Sequence, residues 1–356
     1  MTGLAPRPVD DAAAAAARAR HNRLTKPPGS LGRLEDLGVQ LAAIARCCPP
    51  PVPEPAVVTV FAGDHGVLEE GISPWPQAVT AQMVANFTAG GAAVNVLADR
   101  VGARVMVVDV GVASPLPDLP GLRRAKVRAG TANLARGPAM TRDEAMAALQ
   151  VGSSLAAELV CDGTRCLLTG DMGIGNTTPS AALIAWICRR EPREVTGPGT
   201  GIDADRMARK VRIVEEAVER ARREAPSGPV ELLASLGGLE ISALAGYIVG
   251  GAAAGVPVIL DGLIALAAAL VATEIAPESA GYLVAGHRST EPGAAAALKH
   301  LGLEPVLDLQ MRLGEGTGAC LALPVVQAAA RVLSEMATFD SAGVGEDRGL
   351  ISPGSS

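Results

Sequence analysis

Cys166-Leu-Leu-Thr-Gly-Asp-Met-Gly-Ile-Gly-Asn-Thr-Thr-Pro-Ser180 is the stretch from which the fold is read. Cys166 to Thr169 is the end of an apolar run without alternation, the pattern of a strand buried on both faces. Ser180 to Cys188 is alanine-rich and reads as a helix, with Thr178 suited to the N-cap and Pro179 to the first helical position. A glycine loop feeding a helix N-terminus offers backbone N–H groups and a positive dipole end, which suits a phosphate. Asp171 argues against a simple nucleotide grip, because a carboxylate repels a phosphate. It is more useful if a cationic or proton-bearing group binds beside the phosphate. A tight strand-to-helix turn without any ligand is the plainer reading of the same residues.

Working outward, the same strand–turn–helix rhythm recurs. Short apolar runs stand at Val57–Ala62, Val105–Val108, Leu167–Thr169, Val256–Leu260, Tyr282–Ala285 and Val306–Leu309, with helix-like segments between them. Non-alternating strands spaced in this way indicate an α/β fold: a Rossmann-like parallel sheet covered by helices on both faces. Ligands of such sheets bind beyond the carboxyl ends of the strands. Asp64, His65, Asp109, Asp171, Asp261, His287 and Glu315 all fall in that zone. Ala12–Leu24 and Leu34–Ala45 read as helices, and so does Cys320–Met336. The expected organisation is therefore a small helical domain from residues 1–52 and 320–345, an α/β catalytic domain over 53–319, and a flexible tail over 346–356.

With 356 residues, of which 49% are hydrophobic, the chain can bury a large core. Aromatics are only 2%, so Ala, Val, Leu and Gly must fill the interior, and an aromatic in a loop stands out. A net charge of −6 offers no basic footprint for nucleic acid. The six cysteines make no C-x-x-C pair, and the four histidines are too scattered to complete a zinc site. Free thiols and the lack of a signal pattern give a cytoplasmic expectation. Ile241–Ala276, broken by Pro257 and Asp261, reads as helix, strand and helix and not as a membrane span.

Several constellations carry chemistry. In Asp308-Leu-Gln-Met-Arg-Leu-Gly-Glu-Gly-Thr-Gly-Ala319, Glu315 lies between two glycines at the mouth of a helix. That setting suits a general base or ligand anchor, and equally an N-terminal helix charge favoured by the macrodipole. Gly197-Pro-Gly-Thr-Gly-Ile-Asp203 is a second glycine turn, whose amides at Gly199 and Gly201 add to the first set. Lys210 follows in a charged helix over Asp205–Arg223, where it is either a phosphate contact or part of a solvated face. The loop Glu69-Glu-Gly-Ile-Ser-Pro-Trp-Pro-Gln77 holds Trp75 between prolines, to stack on a flat ring or to cap the core.

Taken in order, these segments resemble the nicotinate-nucleotide:dimethylbenzimidazole phosphoribosyltransferase family of cobalamin lower-ligand synthesis. The resemblance runs through Lys26-Pro-Pro-Gly-Ser-Leu-Gly-Arg-Leu-Glu35, Ala62-Gly-Asp-His-Gly66 and Val79-Thr-Ala-Gln-Met-Val84. It continues through Gly170-Asp-Met-Gly-Ile-Gly-Asn-Thr-Thr178, Gly286-His-Arg-Ser289 and Leu313-Gly-Glu-Gly-Thr-Gly318. It covers nearly the whole chain, and the joint pattern is specific although no single piece is. It implies phosphoribose transfer from nicotinate mononucleotide to 5,6-dimethylbenzimidazole, giving α-ribazole 5′-phosphate and nicotinate with inversion at C1′.

The resemblance makes Glu315 the catalytic base, with Asp171 beside it. Phosphate and ribose would meet Gly173, Gly175, Asn176, Thr177, Gly199, Gly201 and Lys210. The acceptor base would meet Ser73, Trp75, Gln82 and Leu313. No metal or organic cofactor is implied. A homodimer is implied, in which the Lys26–Ser30 segment helps to close the partner's site. Two departures stand out: many members have Glu at Asp171 and Arg at Pro198.

Rival readings fit less well. A phosphoribosyl-pyrophosphate enzyme shows paired acids at a strand end, whereas the Asp10-Asp11 pair lies outside the sheet. A nicotinamide dehydrogenase would carry G-x-G-x-x-G after the first strand, where this chain has Gly63-Asp-His-Gly66. A non-catalytic nucleotide-binding or sensing protein of the same fold would keep the phosphate loops without needing Glu315.

Overall fold

The computed structural model describes residues 5–199 and 201–345, which form two compact units. The larger comprises Pro53–Pro324 together with the described residues before Val9. Its sheet has six strands: β1 (Ala56–Gly63), β2 (Ala103–Gly111), β3 (Leu122–Arg124), β4 (Cys166–Met172), β5 (Val258–Leu260) and β6 (Leu283–Ala285). All pairings are parallel and the order is β3-β2-β1-β4-β5-β6. Every residue of β1 and β4 is buried. Successive side chains of a strand point to opposite faces, so helices must cover both.

The strand order reverses between β1 and β4. In an open α/β sheet such a reversal leaves a crevice beyond the carboxyl ends of the two strands. Here those ends are Gly63-Asp64-His65 and the glycine loop after Met172.

Close backbone packing replaces the missing aromatics. The helices Arg142–Cys161 and Leu239–Ala253 meet through reciprocal glycines. A Cβ on Gly152 would lie 1.8 Å from the Ala243 carbonyl oxygen, and one on Gly246 would lie 1.9 Å from that of Leu149. Any side chain at either position would push the helices apart. The helices thus approach closely without large residues between them.

Two readings of the sheet need correction. Five of the six apolar runs become strands, but Val306–Leu309 does not. It follows Pro305, makes one isolated bridge between Leu307 and His287, and leaves Leu309 exposed. Its place in the sheet is taken by the opposite edge strand, Leu122-Arg-Arg124. Two half-exposed arginines in three residues give no apolar signal there.

The helix after β4 also starts earlier than read. It spans Thr177–Ile187 with Asn176 at the N-cap, so Thr178 and Pro179 lie inside its first turn. Pro179 is tolerated there because the first four helical N–H groups have no intrahelical partner.

The smaller unit comprises Val9–Val52 with the described residues from Val325 on. Its helices Asp11–His21 and Arg33–Ala45 pack Ala14, Ala17, Val39, Ala42 and Ala43 around Leu333. An antiparallel bridge joins Leu24 to Thr338, and Lys26 is buried in an ion pair with Glu35 at 2.6 Å.

The units part after Val52 and after Pro324, within the helix Thr317–Glu335, rather than at residue 319. The described residues before Val9 go with the larger unit, where the Tyr282 hydroxyl donates to the Arg7 carbonyl at 2.9 Å. The tail expected over 346–356 lies outside the described residues. Among those described, Thr317–Glu335 alone is long and apolar enough to cross a membrane, with Pro324 inside it and 56% of it buried.

Candidate active site

β4 delivers Asp171 and the glycine loop to the crevice. Gly173 packs backbone to backbone on β1, since a Cβ there would lie 2.3 Å from the Gly63 carbonyl oxygen. Gly175 has room for a Cβ but takes φ 93°, a left-handed conformation that favours glycine. The two glycines are needed for different reasons, close approach and backbone conformation.

The loop lines a narrow cleft with Ile72, Ser73, Pro198, Gly199 and Lys210. Asn176 is fully engaged: its N–H donates to the Gly173 carbonyl at 3.1 Å and its amide nitrogen to Asp171 Oδ2 at 2.9 Å. The N–H groups of Gly175 and Thr177 are left without protein partners among the described residues, at the positive end of a helix.

Lys210 is not on a solvated face. It is 2% exposed and its Nζ donates to Thr177 Oγ1 and to the Gly197 carbonyl, both at 2.8 Å. Burial draws its pKa down to about 8, against the opposing pull of the Glu291 carboxylate. The second glycine turn does not supply the amides expected of it. Gly199 N–H donates to Glu291 Oε1 at 2.9 Å, and Gly201 N–H to the Pro198 carbonyl at 3.1 Å. Gly201 itself is exposed, so this turn shapes the cleft rather than lending it donors.

Glu315 lies on the other side of Asp171, which Gly314 packs against. Gly314, Glu315 and Gly316 run at φ 82°, 64° and 94°, three left-handed residues in succession. For glutamate that conformation is strained, and strain of this kind is typically held at functional sites by surrounding contacts. Here the holding contacts are explicit. Asp261 accepts the N–H groups of Gly316 at 2.9 Å, Gly318 at 2.7 Å and Ala319 at 3.2 Å. A Cβ on Gly170 would lie 2.7 Å from the Glu315 carbonyl oxygen, so β4 passes directly beneath the turn.

The Glu315 side chain is 8% exposed and its Oε2 has no hydrogen-bond partner among the described residues. Burial, then the negative charge of Asp261, pushes its carboxyl up to about 7. Asp171 is pushed well above the usual carboxylate range, first by burial and then by Asp261. Its bond from Asn176 opposes the shift, while Glu240 and Glu315 add to it.

A chain of contacts runs around the cleft. A Cβ on Gly314 would lie 3.5 Å from both Asp171 carboxylate oxygens, Asp171 bonds Asn176, and the adjacent Thr177 bonds Lys210. Lys210 bonds Gly197, and Arg312 returns from Gly199 O to the Glu315 turn. Ser73 faces the cleft, with its Oγ accepting the Trp75 N–H at 3.1 Å. Trp75 at 51% exposure does not cap the core, and Leu313 at 57% and Gln82 are exposed as well.

Glu240, Glu291 and Arg312 received no role from the sequence. Glu240 pairs with His65 Nε2 at 2.8 Å in full burial, directly below the cleft floor. Burial lowers the His65 pKa, but the charge of Glu240 and its hydrogen bond outweigh that and raise it. The available signal for Glu240 was a single acid at the start of an otherwise apolar helix, Leu239–Ala253.

A cleft with two free N–H groups and a buried lysine, with an unpartnered carboxylate on a nearby turn at the switch point of a parallel sheet, is an arrangement that suits group transfer on an α/β fold. A family model described as phosphoribosyltransferase matches residues 7–344. A nicotinate-nucleotide–dimethylbenzimidazole phosphoribosyltransferase of Salinispora tropica is 55% identical over 353 residues, covering 95% of this chain and 97% of that one. Its namesake from Chloroflexus aurantiacus is 52% identical, covering 95% and 96%. The crystal structure of CobT from Thermus thermophilus superposes with a TM-score of 0.91 at 49% identity, covering 94% of this chain and 99% of that one. The chain belongs to the nicotinate-nucleotide–dimethylbenzimidazole phosphoribosyltransferase family, a family of pentosyltransferases.

Proposed function

We propose that the protein transfers phosphoribose from nicotinate mononucleotide to 5,6-dimethylbenzimidazole, giving α-ribazole 5′-phosphate and nicotinate for cobalamin assembly. The observation that carries this reading is Glu315: a buried carboxylate poised near 7 with an unpartnered oxygen, on a strained turn packed beside Asp171. The names of the relatives supply the two substrates.

In this reading the donor phosphate lies against Gly175 and Thr177 N–H and the Lys210 ammonium, with Gly173, Asn176, Gly199 and Gly201 shaping the loops. Ser73, Trp75, Gln82 and Leu313 receive the flat acceptor. One benzimidazole nitrogen attacks C1′ with its lone pair as the C1′–pyridinium bond breaks, and that bonding pair returns to the pyridine nitrogen of nicotinate. The other nitrogen gives its proton to Glu315. A single attack from the opposite face inverts C1′. The leaving group needs no acid, because the pyridinium departs neutral at nitrogen.

Burial first, and then the Asp261 charge, push the Asp171 carboxyl well above the usual carboxylate range, which favours Glu315 over Asp171 as the ionised base. We further infer a homodimer, in which Lys26–Ser30 helps to close the partner's site. Light scattering should give about twice the 36.0 kDa chain mass.

The direct test mixes purified protein, nicotinate mononucleotide and a panel of bases without added metal, and follows nicotinate release and the anomer formed. No release with any base, or a β-anomer product, rules the proposal out.

A further inference from the structure

We infer that Thr80 is a positioning residue, whose hydroxyl sets the orientation of the phosphate loop from the first turn of the helix Ala78–Thr88; this rests on the reading of that loop given above. Thr80 is fully buried, and its Oγ1 accepts the Ile174 N–H at 3.1 Å. Ile174 stands between Gly173 and Gly175, and its N–H belongs to the peptide plane that joins it to Gly173. Gly173 is immobilised on the Gly63 carbonyl. Rotation of that peptide plane is opposed on its carbonyl edge by the Asn176 N–H at 3.1 Å and on its N–H edge by Thr80, whose hydroxyl is the side-chain restraint.

The arrangement continues behind Thr80. Because Oγ1 accepts from Ile174, its own hydrogen is free to donate. The Asp64 carboxylate, 1% exposed, takes the Ala113 N–H at 2.8 Å on Oδ2 and leaves Oδ1 buried without a hydrogen-bond partner among the described residues. Just past the end of β1, His65 supports the loop from beneath by contact, since a Cβ on Gly173 would lie 3.2 Å from His65 Nε2. Without the Thr80 oxygen the Ile174 N–H is buried and unpaired, and the loop satisfies it only by turning. Turning re-aims the Gly175 and Thr177 N–H groups.

Thr80→Val keeps the shape and removes the hydroxyl, whereas Thr80→Ser keeps the hydroxyl. Thr80→Val should raise KM for nicotinate mononucleotide about tenfold or more with kcat changed less than about threefold, and Thr80→Ser should restore KM to within about twofold. Hydrogen exchange of the 170–177 segment should quicken in the valine variant and not in the serine variant. If Thr80→Val does not fold, Thr80→Ala serves instead: it also removes the hydroxyl, and donor KM should rise in the same sense.

Equal donor KM and equal exchange in wild type and the valine variant overturn the inference. So does a serine variant impaired as much as the valine one. Thermal protection by inorganic phosphate, measured alongside, separates the two levels of the argument. If wild type is protected but turns nothing over, the reaction assigned above is wrong, and loss of protection in Thr80→Val still supports the positioning role. If wild type is not protected and binds no nucleotide, both fall.

Discussion

The two glycine turns that meet at Asp171, 173–177 and 314–316, are built on opposite plans. At 173–177 the interior hydrogen-bond capacity is matched: Ile174 to Thr80, Asn176 to Gly173 and Asp171, Lys210 to Thr177 and Gly197. Only donors that suit an anion remain. At 314–316 the backbone is held by Asp261, which takes the Gly316 N–H and the next two N–H groups of the helix at Gly318 and Ala319, but it is held in a strained conformation and presents an acid with an unpartnered oxygen. One turn is finished as a receptor. The other is left unsatisfied at the atom that is to react. Asp261 and Glu315 make the point side by side, since the saturated carboxylate serves structure and the unsaturated one is free for chemistry.

The comparison breaks most visibly at Glu315. Glu315→Gln keeps the shape and polarity but takes no proton, so kcat should fall by a factor on the order of 10² or more with little change in KM. Normal turnover by the variant in a nicotinate-release assay would move the base elsewhere.

The phosphate side should respond in binding rather than rate. Gly175→Val puts a β-branched residue at φ 93° and should raise the donor KM about 10–100-fold, with a smaller effect on kcat. Nicotinate riboside, which lacks the phosphate, should be nearly as poor a donor for wild type. Equal use of riboside and mononucleotide would contradict a phosphate receptor.

A pH profile separates the two turns in one experiment. Glu315, raised to about 7, must be ionised to act, so kcat/KM should fall as pH drops below about 7. Lys210, lowered to about 8, must be protonated to hold phosphate, so kcat/KM should fall again above about 8. Glu315→Gln should flatten the acid limb and leave the alkaline one. An unchanged acid limb would assign it to another group.

The smallest effect is expected at Asp171. Burial and the Asp261 charge penalise its ionised form, and Asp171→Asn removes the charge while keeping the shape, so kcat should fall by less than about tenfold. A loss as large as that of Glu315→Gln would show that the ionised form of Asp171 takes part.

How much of this was legible in the chain depended on whether the signal was local. β1 and β4 were readable because eight and seven consecutive buried residues must be apolar or small. β3 was not, because three residues, two of them arginine, carry no pattern, and only the neighbouring β2 makes them a strand. Val306–Leu309 had the pattern but met its neighbour past the end of β6, in a single bridge between Leu307 and His287. Lys210 shows the same limit at the site: in sequence it belongs to a helix full of charges, and only folding reveals that it points inward.

By itself the sequence determined the fold class, the family and the two glycine turns, because these rest on local pattern: apolar runs, glycine spacing and motif order. The tertiary structure alone decided which amides stay free, which carboxylate is saturated and which is left strained and unpartnered. Those properties arise between segments far apart in the chain. Desolvation and charge proximity depend on distances in space, which the order of residues does not record.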